Sequence, residues 1–217
     1  EAGELRLLLV SPERAVLYPA PMSHGAGLYN FVHVQRGARH VIPESGGFDP
    51  GEILELGREM RNVSMFAAPT MVKRLVDAAR HAGSDGDGIK TIVYGGGPMY
   101  VADIKEALTV LGPKFVQIYG QGEAPMTITA LSRGDIADSS HPDWAARLAS
   151  VGRAQSVAEV RIVGADGAPL PQGEVGEIAV RGPQVMAGYL YNPEANAKSL
   201  KEGWLMTGDR GHLDAGG

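Results

Sequence analysis

Two textures divide the chain. Through residue 149, short apolar runs alternate with segments whose apolar positions recur at helical spacing. The runs at 15–19, 38–42, 63–67, 91–94, 115–119 and 127–131 read as buried strands. Between them, Asp49-Pro50 opens a helix over 52–60, a capping residue followed by Pro in the first turn. Met71, Leu75 and Ala78/Ala79 share a face of a helix over 71–81. Ile104, Leu108 and Leu111 share a face of another over 101–111. Strands and helices alternating in this way predict an α/β fold, a mostly parallel sheet flanked by helices.

Near Ser150 the pattern changes. Residues 157–163 alternate apolar and polar, the turn signal Ala165-Asp166-Gly167 follows, and 174–181 alternate again. This is hairpin patterning. It predicts a small antiparallel, β-barrel-like subdomain over 150–217, with one short helix around 193–200, after an α/β subdomain over 1–149. The stretch 133–141 reads as a linker.

Composition narrows the chemistry. The 217 residues contain no cysteine, which excludes disulfide scaffolds, Cys-bound zinc, iron–sulfur clusters and thiol catalysis. A net charge of -5 with dispersed Lys and Arg argues against nucleic acid as a partner. No apolar run approaches the roughly 18 residues of a membrane span, and no signal sequence opens the chain, so a cytoplasmic location is expected. Gly 30 and Pro 14 together make about a fifth of the chain, which predicts frequent turns and close backbone approaches.

Four runs stand at strand ends, where open parallel sheets bind ligands. Tyr94-Gly95-Gly96-Gly97-Pro98 offers bare backbone for a flat ring, and serves equally as a tight turn with Pro98 starting a helix. It departs from the G-x-G-x-x-G dinucleotide fingerprint at Tyr100. Tyr119-Gly120-Gln121-Gly122-Glu123 combines an aromatic that can stack on a base with a carboxylate that can hold Mg²⁺, or is an ordinary loop with a solvated Glu. Asp209, after Trp204-Leu205-Met206-Thr207-Gly208, suits a ribose diol or a simple turn. His24, in Pro21-Met22-Ser23-His24-Gly25, suits a helix cap, a pocket wall or acid–base work. A Ser–His–Asp hydrolase is unsupported, because G-x-S-x-G is absent.

In this order the runs resemble the adenylate-forming superfamily: acyl-CoA synthetases, luciferase-type enzymes and peptide adenylation domains. Pro21 to Gly25 resembles its Pro-x-x-His block, Gly96-Gly97-Pro98 its Gly-Ala-Pro turn, and Tyr119 to Glu123 its Tyr-Gly-x-Thr-Glu block. Gly173 to Gly182 and Gly203 to Gly211 resemble its Gly-Glu and Gly-Trp-x-x-Thr-Gly-Asp blocks. The resemblance implies an acid–thiol ligase using ATP/AMP, Mg²⁺, coenzyme A and a carboxylic acid, with fatty-acid–CoA ligases as the pattern. It implies that Gly96, Gly97 and Pro98 hold adenine, with Tyr119 stacked on it. Gly120, Gln121 and Gly122 lie at the nucleotide, and Asp209 takes the ribose. The resemblance further implies that Glu123 is the catalytic metal ligand and that His24, Gly95 and Gly120 line the acyl group.

The sequence departs from the family pattern in three ways. No Ser/Thr/Gly-rich phosphate loop with its Lys occurs, the mobile C-terminal lid has no counterpart, and Gly122 replaces the usual Thr. The reading is therefore a central part of a larger ligase, inactive alone, with the N- and C-terminal parts of the same enzyme as its missing partners. A non-catalytic nucleotide-binding module and an adenylation domain loading a carrier protein are the alternatives.

Overall fold

The computed structural model describes residues 14–217. In chain order its elements are β1 (Ala15–Leu17), α1 (Gly25–Leu28), α2 (Asn30–Gln35), β2 (Arg39–Val41), α3 (Pro50–Met60), β3 (Val63–Ala67), α4 (Pro69–His81), β4 (Ile89–Tyr94), α5 (Val101–Leu111) and β5 (Phe115–Gln121). There follow β6 (Ala124–Leu131), α6 (Arg133–Ala137), α7 (Trp144–Ala149), β7 (Arg153–Ala154), β8 (Glu159–Val163), β9 (Gly176–Arg181), α8 (Pro193–Ser199), β10 (Leu200–Lys201) and β11 (Trp204–Gly211). The chain divides into two compact units. The first ends at Ile118 and resumes over Leu131–Val151; the second comprises Tyr119–Ala130 and Gly152–Gly217.

In the first unit the strands run parallel in the order β2-β1-β3-β4-β5. The predicted helix-flanked, mostly parallel sheet is present, and its central strands are buried along nearly their whole length, which is why they read as unbroken apolar runs. Asp49 caps α3 by accepting from the Glu52 amide at 2.9 Å, with Pro50 in the first turn. Val72, Leu75, Val76 and Ala79 of α4 and Ile104, Ala107 and Leu111 of α5 pack into one core with Ile92, Tyr94 and Phe115.

The linker expected over 133–141 is not one. Ser132 caps α6 by accepting from the Asp135 amide, Ile136 is fully buried, and the Trp144 indole donates to the Ile136 carbonyl at 2.8 Å. Gly134, Asp138 and Ser139 carry a loop-like composition, but a single buried Ile is enough to dock so short a helix.

The second unit contains a curled four-stranded antiparallel sheet in the order β10-β11-β9-β8, and the antiparallel pair β6–β7. The predicted hairpin patterning appears as the β8–β9 ladder, with Val160 opposite Val180 and Ile162 opposite Ile178. Ala124, Ile128, Val180 and Leu205 form one small core. Val163, Ala179 and Trp204 form another, and the guanidinium groups of Arg161 and Arg181 lie over the Trp204 ring.

Candidate active site

A β-bulge aims Asp209. Along β11, Met206 pairs with Ala179 and Arg210 with Glu177, so Thr207, Gly208 and Asp209 stand opposite Ile178 alone. Gly208 takes φ +76°, a value that glycine adopts without strain. The bulge is pinned from within. Thr207 Oγ1 donates to the Ile178 carbonyl at 2.8 Å and accepts from the Asp209 amide at 3.1 Å, and Gly208 N–H donates to Glu177 Oε1 at 2.9 Å. The Thr-Gly-Asp run is thus a device that turns one carboxylate out of the ladder.

The end of β5 meets that carboxylate. Tyr119 Oη donates to Asp209 Oδ2 at 2.6 Å, and Gln121 Nε2 donates to the same oxygen at 2.8 Å and to the Thr207 carbonyl at 3.0 Å. Burial first, and the Asp209 bond second, push the Tyr119 hydroxyl well above the usual phenol range, so it stays protonated and donating at neutral pH. Asp209 is exposed, and its Oδ1 has no partner among the described residues. Between the two donors, Gly120 has no room for a side chain: a Cβ would stand 2.3 Å from the Met126 nitrogen. At Gly122 a Cβ would meet nothing within 4 Å.

Glu123 is half-buried at the β5–β6 turn, tied by its carbonyl to the Met186 amide at 2.8 Å. Its Oε1 accepts from Tyr189 Oη at 2.5 Å, a bond that raises the Tyr189 pKa. Asn196 of α8 in turn clamps Tyr189, accepting from its amide at 2.6 Å and donating to its carbonyl at 3.0 Å. Neither Tyr189 nor Asn196 was legible as a site residue. The only signal was their membership of the segment that links the two last family-like blocks.

The remaining sequence-predicted residues lie in the first unit. Gly95 is buried at the end of β4, where a Cβ would stand 2.6 Å from the Ile118 carbonyl oxygen. Gly96 (φ +79°), Gly97 and Pro98 are exposed, and Cβ atoms on the two glycines would find nothing closer than the Pro69 ring at 3.9 Å. Crowding therefore bars a side chain at Gly95, whereas backbone conformation selects glycine at Gly96. His24 is exposed. Its carbonyl receives the first hydrogen bond of α1, while its ring, 3.0 Å from Ser23 Oγ, caps nothing.

The chain is similar to known proteins. A family profile described as AMP-binding enzyme matches residues 4–190, and the chain belongs to that family, within the adenylate-forming superfamily. It is 36% identical over 197 residues to the medium/long-chain-fatty-acid–CoA ligase FadD8 of Mycobacterium tuberculosis, covering 91% of this chain and 33% of that protein. It is 34% identical over 211 residues to a feruloyl-CoA synthase of Amycolatopsis, covering 96% and 40%. Among solved structures, it superposes on the amide bond synthetase McbA from Marinactinospora thermotolerans with a TM-score of 0.83 at 33% identity, over 94% of this chain and 40% of that one. O-succinylbenzoate coenzyme A synthetase from Bacillus subtilis, in complex with AMP, superposes with a TM-score of 0.81 at 27% identity, over 98% and 41%. The chain thus spans between a third and two-fifths of these relatives. No helix among the described residues is long and apolar enough to cross a membrane.

Proposed function

We propose that this chain is the nucleotide- and acyl-binding part of an AMP-forming acid–thiol ligase. A carboxylic acid attacks the α-phosphate of ATP, its oxygen bonding to phosphorus as pyrophosphate leaves. The thiol of coenzyme A then displaces AMP from the acyl-adenylate. The observation that carries this reading is the carboxylate on the β11 bulge: two fixed donors hold one oxygen of Asp209, and the other is free to accept from a ribose hydroxyl.

The remaining roles are those that the family resemblance implies. Tyr119 offers its ring face to adenine while its hydroxyl stays on Asp209. Gly96, Gly97 and Pro98 present uncrowded backbone to the base, and Gly120, Gln121 and Gly122 form the strand end against the nucleotide. Gly95, with no space for a side chain, and His24 border the acyl group. Such a reaction asks for positioning and charge neutralisation more than for a nucleophilic side chain.

Glu123 suits Mg²⁺. Oε1 is held by Tyr189, and Oε2 has no partner among the described residues. No group of three or more His, Cys, Asp or Glu that could hold a metal occurs among the described residues. A single carboxylate completed by phosphate oxygens and water is an ordinary Mg²⁺ environment, and the ion would supply charge neutralisation to the triphosphate. Glu123's own part is to fix one oxygen at the phosphate end of the site.

A Lys-bearing phosphate loop is absent from the sequence. Loss of even one hydrogen-bond donor to the reacting group can cost about 10²–10³ in rate, so the 217-residue chain is expected to fold without turning over. The test is a screen for acid-dependent pyrophosphate release by the full-length protein, with coenzyme A and a carrier-protein thiol as alternative acceptors. Release with coenzyme A consumption supports the reading. Consumption of the carrier thiol alone supports a carrier-loading ligase, and nucleotide binding without release for any acid supports a non-catalytic module.

A further inference from the structure

Among the buried polar groups of the first unit that have no partner among the described residues are His33 Nδ1 on α2 and Ser64 Oγ on β3. Each residue is 1% exposed. Both line one cavity of about 10 Å³, whose wall also includes Ala26, Tyr29, Phe66 and Val93. The hydroxyl of Tyr18, another lining residue, is already committed to His40 Nδ1 at 2.8 Å and does not satisfy either group.

A buried polar group without a hydrogen bond costs free energy. Two of them in residues that line one cavity call for a group between them. The volume suits a single oxygen-sized group, since a water needs about 10–15 Å³. The chemistry is also defined. Ser64 both donates and accepts, and neutral His33 Nδ1 does either according to tautomer, so a hydroxyl can accept from one and donate to the other. Burial, together with the positive charges of His40 and Arg14, holds the His33 pKa down at about 4, so the ring is neutral at pH 7 and offers no charge to an anion.

We propose that this cavity is a subsite for one neutral hydroxyl-type oxygen, filled by water or by a hydroxyl on the tail of the carboxylic acid substrate. The second source rests on the ligase reading given above. His24 leads directly into α1, whose Ala26 lines the cavity. A Cβ at Gly25 would lie 3.5 Å from the Phe66 ring, and Val93 stands two residues before Gly95 on β4. An acyl group placed beside His24 and Gly95, as that reading has it, would lie next to elements that line the cavity.

Two arms test this. A crystal structure of the 217-residue chain that resolves waters should show an oxygen within about 3.2 Å of both His33 Nδ1 and Ser64 Oγ. In the full-length protein, acids matched in length, with and without a terminal hydroxyl, are compared by kcat/KM. Preference for the hydroxylated acid should fall about tenfold in Ser64→Ala and in His33→Leu, the loss expected for a buried hydrogen bond. A fall in both variants assigns the subsite to the substrate; an ordered water with an unchanged preference assigns it to solvent. An empty cavity together with an unchanged preference overturns the proposal. Failure of every acid to react would count against the ligase reading, and the crystallographic arm would still decide the subsite.

Discussion

Tyr119 Oη lies 2.6 Å from Asp209 Oδ2, the oxygen that Gln121 Nε2 also reaches at 2.8 Å. One end of the carboxylate is thereby fixed, and Oδ1 has no partner among the described residues. Hydrogen bonds to charged groups contribute about 1.5–3 kcal/mol each. Asp209→Ala should therefore weaken ATP binding by about 10- to 150-fold. Tyr119→Phe keeps the ring and removes one positioning bond, so it should cost only about 3- to 10-fold. Calorimetry with ATP and 2′,3′-dideoxy-ATP checks both. The Asp209→Ala loss should nearly vanish with the analogue, which has no diol. Equal losses for the two ligands would make Asp209 a structural turn residue.

Tyr189 and Glu123 are coupled in the same way. Without the Tyr189 hydroxyl, Glu123 is free to leave the rotamer in which Oε1 is held. Tyr189→Phe in the full-length protein should raise the Mg²⁺ concentration for half-maximal adenylation about 3- to 10-fold, and Glu123→Gln should raise it further. Titration with Mn²⁺ followed by electron paramagnetic resonance gives the same comparison without turnover. A shifted pH optimum with unaltered metal dependence would contradict the assignment of Glu123 as a metal ligand.

Two glycines of one strand end should behave oppositely. A methyl at Gly120 would meet the Met126 nitrogen at 2.3 Å and the Ala124 carbonyl oxygen at 2.8 Å; at Gly122 it would meet nothing within 4 Å. Gly120→Ala should destabilise the chain by about 1–3 kcal/mol, as overpacking does, whereas Gly122→Ala should stay within about 0.5 kcal/mol. Urea unfolding of the two variants measures this, and equal midpoints would show that the Gly120 contact relaxes freely.

The parallel strands were legible because burial on both faces leaves continuous apolar runs, and α3 because Asp49-Pro50 announces its start. The shape of the site was not. Asp209, Tyr119 and Glu123 stand out as residue types at strand ends, but the bulge that places Asp209 depends on Thr207 reaching across to Ile178 on another strand. Tyr189 reaches Glu123 over 66 residues of sequence. Neither pairing leaves a local pattern. The helix at 133–137 was missed for the converse reason, since its polar composition hides one buried Ile136.

His33 predicts a pH dependence of stability. Burial chiefly, with His40 and Arg14, lowers its pKa from 6.5 to about 4. Between those values the unfolded chain holds a proton that the native chain does not. Stability from this group is therefore complete above pH 6.5 and is lost as the pH falls toward 4, by about 3 kcal/mol in all. Urea unfolding from pH 7.5 down to 4 should show this loss in the native sequence and a shallower one in His33→Leu. Identical slopes would mean that His33 titrates normally.

The central claim is that this site activates a carboxylic acid as its adenylate, and exchange of labelled pyrophosphate into ATP by the full-length protein reads that half-reaction without any acceptor thiol. Exchange that requires the acid, proceeds in the absence of coenzyme A, and falls on Asp209→Ala in step with the loss of ATP binding is the predicted result. Exchange that is absent for every acid while ATP binds normally would contradict it.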